Sequence, residues 1–148
     1  MREAITLARK AAAAGEVPVG CVVELGGKVI GQGENRTIRD SDPTAHAEII
    51  ALREAAGAFG DYRLEGAKLV CTVEPCLMCL GAILHARIAE VVYGVAEPKF
   101  GALESRFQLG GHERLRKTTF RGGVLAEEIA PLMSAFFATL RGGEANSQ

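Results

Sequence analysis

Two short segments constrain this chain more than anything else in it: "DPTAHAEI" at 42–49 and "EPCLMC" at 74–79. Each contains a proline that marks a helix start, and each sets metal-ligating side chains at that start. The first carries His46 with Glu48 two positions on; the second carries Cys76 and Cys79 in a C-x-x-C spacing. One imidazole and two thiolates form a ligand set suited to Zn2+. Helix starts suit thiolate ligands, because free N–H groups and the positive end of the helix dipole lower thiol pKa values.

Counting ligands separates two kinds of zinc site. Structural sites fill four positions with protein groups, whereas catalytic ones use three and keep a place for water. The remaining candidates are Cys21, Cys71, His85 and His112. His85 lies nine residues beyond Cys76, about 180° around a helix of 3.6 residues per turn, and so faces away. Cys21 and Cys71 fall within apolar strands, where a small thiol is an ordinary core residue. A closed site using Cys71 as fourth ligand stays open as an alternative. A redox C-x-x-C pair is a further one, although it gives no role to His46 and Glu48. If Glu48 is not a ligand, its carboxylate can take a proton from water beside the metal and deliver it elsewhere. Residues i and i+2 do not share a helix face, so His46 and Glu48 can approach one ion only if their helix meets the site end-on.

The 148 residues suffice for one compact domain with its own core, here 1–141, followed by a disordered tail at 142–148. No apolar run is long enough to span a bilayer, and Arg9 with Lys10 interrupts the stretch a signal peptide would need, so a cytoplasmic location is expected. Four cysteines in such a chain read as thiols or ligands rather than as a disulfide framework. The formal net charge is −1, but residues 97–121 hold Lys99, Arg106, Arg114, Arg116, Lys117 and Arg121 against Glu97, Glu104 and Glu113, a local balance of +3. These cations are interleaved with Phe100, Phe107 and Phe120. Cations meet phosphates and aromatic faces stack on unpaired bases, and a loop with charges outward and phenylalanines inward explains the same letters.

The order of elements predicts an α/β fold. A helix over 2–14 precedes two strands joined at Gly26–Gly27, then a helix from Pro43 to about Ala56 with Gly57 as its stop. Apolar runs at 68–73 and 90–95 read as buried strands flanking a helix from Pro75 to about Arg87. A Gly-rich stretch at 98–113, a short strand near 117–121 and a final helix at 125–140, with Pro131 inside it, complete the chain. This pattern points to three α/β/α layers around a mixed sheet of roughly five strands.

His46-Ala47-Glu48 with Pro75-Cys76-Leu77-Met78-Cys79 resembles the zinc-dependent cytidine, nucleoside and nucleobase deaminase superfamily. Across "EVPVGCVV", "DPTAHAEI", "EPCLMCLGAI" and "ARIAEVVYG" the chain is most similar to the bacterial tRNA-specific adenosine deaminases, over about residues 3–141. The resemblance implies a cytidine deaminase-like fold, one Zn2+ per subunit on His46, Cys76 and Cys79, and Glu48 as the catalytic acid and base. The implied reaction replaces the amino group at C6 of the wobble adenosine in a tRNA anticodon stem-loop by oxygen, giving inosine. It further implies substrate contacts from Asn35 and Ala47, an entrance formed by Glu97, Lys99 and Phe100, and a homodimer. The chain departs from the family's pattern in three places. Phe136-Phe137 is followed by Arg141 alone rather than by a basic cluster, Glu97 stands where aspartate is common, and Phe100 stands where a small or hydroxyl residue is usual. A deaminase of a free base or nucleoside, of guanine or cytosine type, shares the zinc core and is the competing enzyme reading. A zinc-stabilised binding module requires the closed site.

Overall fold

A computed structural model describes residues 1–145. Helix α1 (Arg2–Ala13) leads into the hairpin of β1 (Gly20–Leu25) and β2 (Lys28–Glu34). Gly26 and Gly27, both at positive φ, form its two-residue turn, a conformation that matches strand twist and suits glycine. Helix α2 (Ala47–Phe59), β3 (Lys68–Val73), α3 (Leu77–His85) and β4 (Glu90–Val95) follow. Two short 3-10 turns, Leu109–Gly111 and Glu113–Leu115, then lead to β5 (Thr119–Arg121) and the long α4 (Ala126–Ala145).

The sheet order is β2-β1-β3-β4-β5. Its hairpin half is antiparallel, and β3, β4 and β5 run parallel. The sheet is therefore mixed and five-stranded, as the element order predicts. Register assigns side chains to faces: Cys21, Cys71 and Tyr93 lie abreast, as do Val22, Val70 and Val92 on adjacent positions. The first set joins a large core with Ala47, Ala51, Ala55, Leu80 and Ile83 from α2 and α3. The second joins Met1, Leu7 and Val124, and Gly94 on the same face lies against Ile129 of α4. Helices α2 and α3 thus cover one face, and α1 and α4 the other.

Backbone packs on backbone where α2 crosses β2. A Cβ at Gly33 would lie 2.4 Å from the Ala47 carbonyl oxygen, and one at Gly31 would lie 2.3 Å from that of Ala51. Gly33→Ala is expected to cost about 1–3 kcal/mol of stability, since overpacking shifts the helix rather than a flexible side chain. Gly57→Ala, mid-helix with nothing within 4 Å, should instead gain up to about 1 kcal/mol from helix propensity. Denaturant titration of both variants tests the pair.

Several boundaries differ from the sequence reading, among them α3, which runs from Leu77 to His85 with Cys76 as its N-cap rather than from Pro75 to about Arg87. Helix α2 starts at Ala47, with His46 as its N-cap, rather than at Pro43. The Asp42 carboxylate is occupied locally, accepting from the Thr44 N–H (2.8 Å) and hydroxyl (2.7 Å), so it closes a turn before the helix. Gly57 lies inside α2, and Gly60 in the left-handed region ends it. At the other end, α4 contains Pro131 and continues past the boundary expected at 141 to Ala145. Of the expected tail, residues 146–148 lie outside the described residues.

Candidate active site

The site lies where α2 and α3 begin, at the carboxyl ends of the parallel strands, a recurrent place for ligands in α/β sheets. His46 and Cys76 are the N-cap residues of α2 and α3, both with extended backbone. Their side chains therefore project past the helix ends rather than along a helix face. Glu48 follows in the first turn of α2. This end-on approach lets residues two apart share one site.

His46 Nδ1 stands 3.7 Å from Cys76 Sγ and 3.6 Å from Cys79 Sγ. Among the described residues, these are the ligand-type groups that converge, all within 4.8 Å of one another. A tetrahedral ion with Zn–N near 2.0 Å and Zn–S near 2.3 Å needs N···S separations of about 3.5 Å. The donor set and its spacing fit zinc. The Cys76 thiol is pulled down to about 4, chiefly by its hydrogen bond with Cys79 and then by that with His46. Cys79 is pushed up by the same bond and by burial. His46 is raised, first of all by its bond to Cys76.

Glu48 is only 4% exposed. Burial pushes its carboxyl up to about 7, against the pull of its own N–H and of His46. A carboxyl poised there can both hold and release a proton near neutral pH. Asn35 is buried beside it, and Asn35 Oδ1 accepts the Ala47 N–H at 2.9 Å. The bond satisfies one of the orphan donors of α2 and leaves the Asn35 amide nitrogen to donate elsewhere. Ala47 itself is fully buried, its N–H committed to Asn35.

A cavity of about 550 Å³ opens over these groups, lined by Asn35, His46, Glu48 and Cys76 and rimmed by Glu97, Lys99 and Phe100. It shares Val73, Glu97, Lys99 and Phe137 with an adjoining groove of about 500 Å³ that runs beside α4 to Arg141. Phe100 at the mouth is 64% exposed. The sequence does not single out Phe137 as a lining residue, because only the packing of α4 brings it to the cavity.

Cys71 and Cys21 stay inside the sheet, fully buried and outside the converging set. Cys71→Ser is therefore expected to leave zinc content and activity unchanged, read by metal analysis beside turnover. His85 lines a separate hollow on the outer side of α2 and α3, as helix geometry predicts. His112 caps a 3-10 turn by accepting the Arg114 N–H. The basic segment divides. Lys99 and Phe100 reach the cavity, while Arg114 and Lys117 line a cleft with Ile88, Ala89 and Thr118, at the other end of β4 and β5. Phe120 packs against the core. The +3 balance is thus not one surface.

Two buried carboxylates unremarked in the sequence hold the loops around the cavity. Glu16, fully buried, accepts from the N–H groups of Ile38 (3.1 Å) and Arg39 (2.7 Å) and from the Thr37 hydroxyl. Glu74 accepts from the N–H groups of Glu97, Leu103, Glu104 and Ser105 and from the Ser105 hydroxyl. Burial opposes charge on Glu74, but these donors outweigh it and hold the carboxyl below its usual range. The one available signal was an acid directly after an apolar strand, in "VEPC".

Residues 1–95 match the model of the cytidine and deoxycytidylate deaminase zinc-binding region. The chain belongs to that family. Among relatives, it is 49% identical over 143 residues to a tRNA-specific adenosine deaminase of Haemophilus influenzae, covering 95% of this chain and 83% of that protein. It is 47% identical to a tRNA(Ile)-lysidine synthase of Deinococcus radiodurans, a longer protein of which the match covers 24%. Among solved structures, one from a study of A-to-I editing by tRNA:A34 deaminases at the wobble position aligns with TM-score 0.85 and 41% identity, covering 89% of this chain and 96% of that one. A guanine deaminase of Nitrosomonas europaea aligns with TM-score 0.81 and 26% identity, covering 93% and 82%. The three-layer architecture is that of the cytidine deaminase-like fold, and the zinc-binding region of the family falls on the His46, Cys76 and Cys79 cluster.

Proposed function

We propose that the protein is a zinc-dependent hydrolase that converts adenosine to inosine at the wobble position of a tRNA anticodon stem-loop. The observation that carries the RNA substrate is the continuity of the cavity with the groove along α4, flanked by Lys99, Phe137 and Arg141. A free base needs only an enclosed pocket, whereas a strand needs a path leading away from it, with cations for phosphate and aromatic faces for neighbouring bases. Arg141 supplies a cation at the far end of that path. The similarity to tRNA-specific adenosine deaminases agrees with this reading.

His46, Cys76 and Cys79 hold the zinc in this reading. Bound there, zinc supplies Lewis-acid activation of water. Glu48 takes one proton of that water to the ring nitrogen, where it stays, and then carries the second, from the new C6 hydroxyl, to the departing amino group, so hydrolysis balances as adenosine plus water to inosine plus ammonia. Asn35, oriented by the Ala47 N–H, donates its amide nitrogen to the base. Glu97, Lys99 and Phe100 meet the flanking nucleotides. Residues 1–141 act as one domain, in the cytoplasm with the tRNA substrate. No helix among the described residues is long and apolar enough to cross a membrane.

The homodimer has its own support. The outer side of α2 and α3 carries a hollow of about 430 Å³ lined by Ile49, Leu52, Ala56, Tyr62, Met78 and Ala82. Exposed Phe59, Leu77 and Met78 lie on the same two helices. A mainly apolar hollow, here with Thr44, Arg53 and His85 also in its lining, beside exposed apolar side chains is the kind of surface a second copy covers. Ala82→Glu is expected to shift the protein from dimer to monomer in light scattering.

The decisive assay of substrate is inosine formation by mass spectrometry, with an anticodon stem-loop carrying wobble adenosine beside free adenosine, cytidine and guanine. Product from the stem-loop alone is expected. Turnover of a free base or nucleoside alone would assign the protein to the competing class of free-base and nucleoside deaminases, and turnover of guanine in particular to the activity named for a structure it aligns with.

A further inference from the structure

Glu74 is buried, 2% exposed, and two residues from Cys76. Its Oε1 accepts from the N–H groups of Leu103 (3.0 Å), Glu104 (2.7 Å) and Ser105 (3.0 Å). Its Oε2 accepts from the Glu97 N–H (3.1 Å) and the Ser105 hydroxyl. The carboxylate therefore grips both ends of the segment 97–105. The middle is seated on the same junction: Gly101 bridges to Cys76, and the Ala102 N–H donates to the Pro75 carbonyl at 2.9 Å. A Cβ at Gly101 would lie 2.5 Å from Glu74 Oε2, so the segment meets the carboxylate at bare backbone.

We infer that Glu74 is a positioning residue for the substrate entrance: it locks segment 97–105 to the strand-to-helix junction that carries Cys76 and thereby sets where Lys99 and Phe100 stand over the cavity. The role in substrate positioning rests on the proposed RNA reading; the mechanical role does not. Five donors on one carboxylate leave the segment few alternative arrangements, because a displacement costs them their shared acceptor at once, the Leu103 N–H in a buried position and the others partly buried. Lys99 and Phe100 point into the mouth from the span between the Glu97 and Leu103 anchors. A wall fixed in this way acts on flanking nucleotides equally before and during reaction, so its loosening weakens binding rather than the chemical step.

Glu74→Gln tests this, since it keeps shape but turns an NH2 group toward donors that need an acceptor. With the zinc-loaded protein, hydrogen exchange at the amides of 97–105 should rise by about tenfold or more while α1 and β1 are unchanged. Zinc should remain at one per chain. KM for the anticodon stem-loop should rise about tenfold with kcat altered less than about twofold, the signature of lost uniform binding. Glu74→Asp, which keeps the charge, should restore part of the protection. Ser105→Ala, which removes one donor and leaves Glu74 intact, should shift exchange and KM in the same direction by less. Unchanged exchange in Glu74→Gln overturns the inference, and so does a fall in kcat accompanied by zinc loss, which would place Glu74 in support of the metal site alone. A wild-type protein inactive on the stem-loop removes the RNA reading, while the exchange measurement still decides whether Glu74 holds the segment.

Discussion

Glu48→Ala is expected to retain zinc and to lose about two to four orders of magnitude in kcat, the scale of a removed general acid and base. The two halves of this expectation have separate causes. Metal retention follows because Glu48 is not in the converging ligand set, which is His46, Cys76 and Cys79. Loss of turnover follows because Glu48 is the carboxyl that burial brings to about 7 within the cavity, beside the ligands but outside their set. A group that both accepts and returns a proton must sit near the working pH, and burial is what moves Glu48 up toward it. Zinc by mass spectrometry and inosine formation under saturating substrate are the two readouts. Near-normal turnover in the variant would remove Glu48 from the mechanism.

Cys76→Ala and His46→Ala are expected to purify without stoichiometric zinc and to show no deamination above background. Both residues are helix N-caps, so an ion held between them would tie together the starts of the two helices. Metal that binds only the folded state adds RT ln(1 + [L]/Kd) to stability. The wild-type melting temperature should therefore fall on chelation, while those of the variants should not respond to chelator. An unaltered zinc content in either variant would overturn the ligand assignment.

Much of this was legible in the residues. The strands at 68–73 and 90–95 coincide with β3 and β4 because both are buried apolar runs, and a parallel strand covered on two faces leaves no polar alternation to misread. The ligand cluster was legible because zinc demands particular side chains at particular spacings. The start of α2 was not: Asp42 and Pro43 spell a helix cap, yet Thr44 captures the carboxylate and the helix waits until Ala47. Glu16 and Glu74 were invisible for a different reason. Their partners are mostly backbone N–H groups in irregular loops, which any residue can supply and no pattern announces. The basic segment misled because charge summed along the chain ignores that Lys99 and Lys117 lie at opposite ends of the sheet.

The glycine contacts under α2 carry one more consequence. The separation of that helix from β2 is set by main chain touching main chain at Gly31 and Gly33, rather than by the size of interposed side chains. Core residues such as Val23, Leu69 and Ile83 pack in the same cluster as Ala47, Ala51 and Ala55, so a change of volume there meets a helix already held at two main-chain contacts. The platform that carries His46 and Glu48 is for that reason less sensitive to side-chain volume than a helix resting on side chains alone.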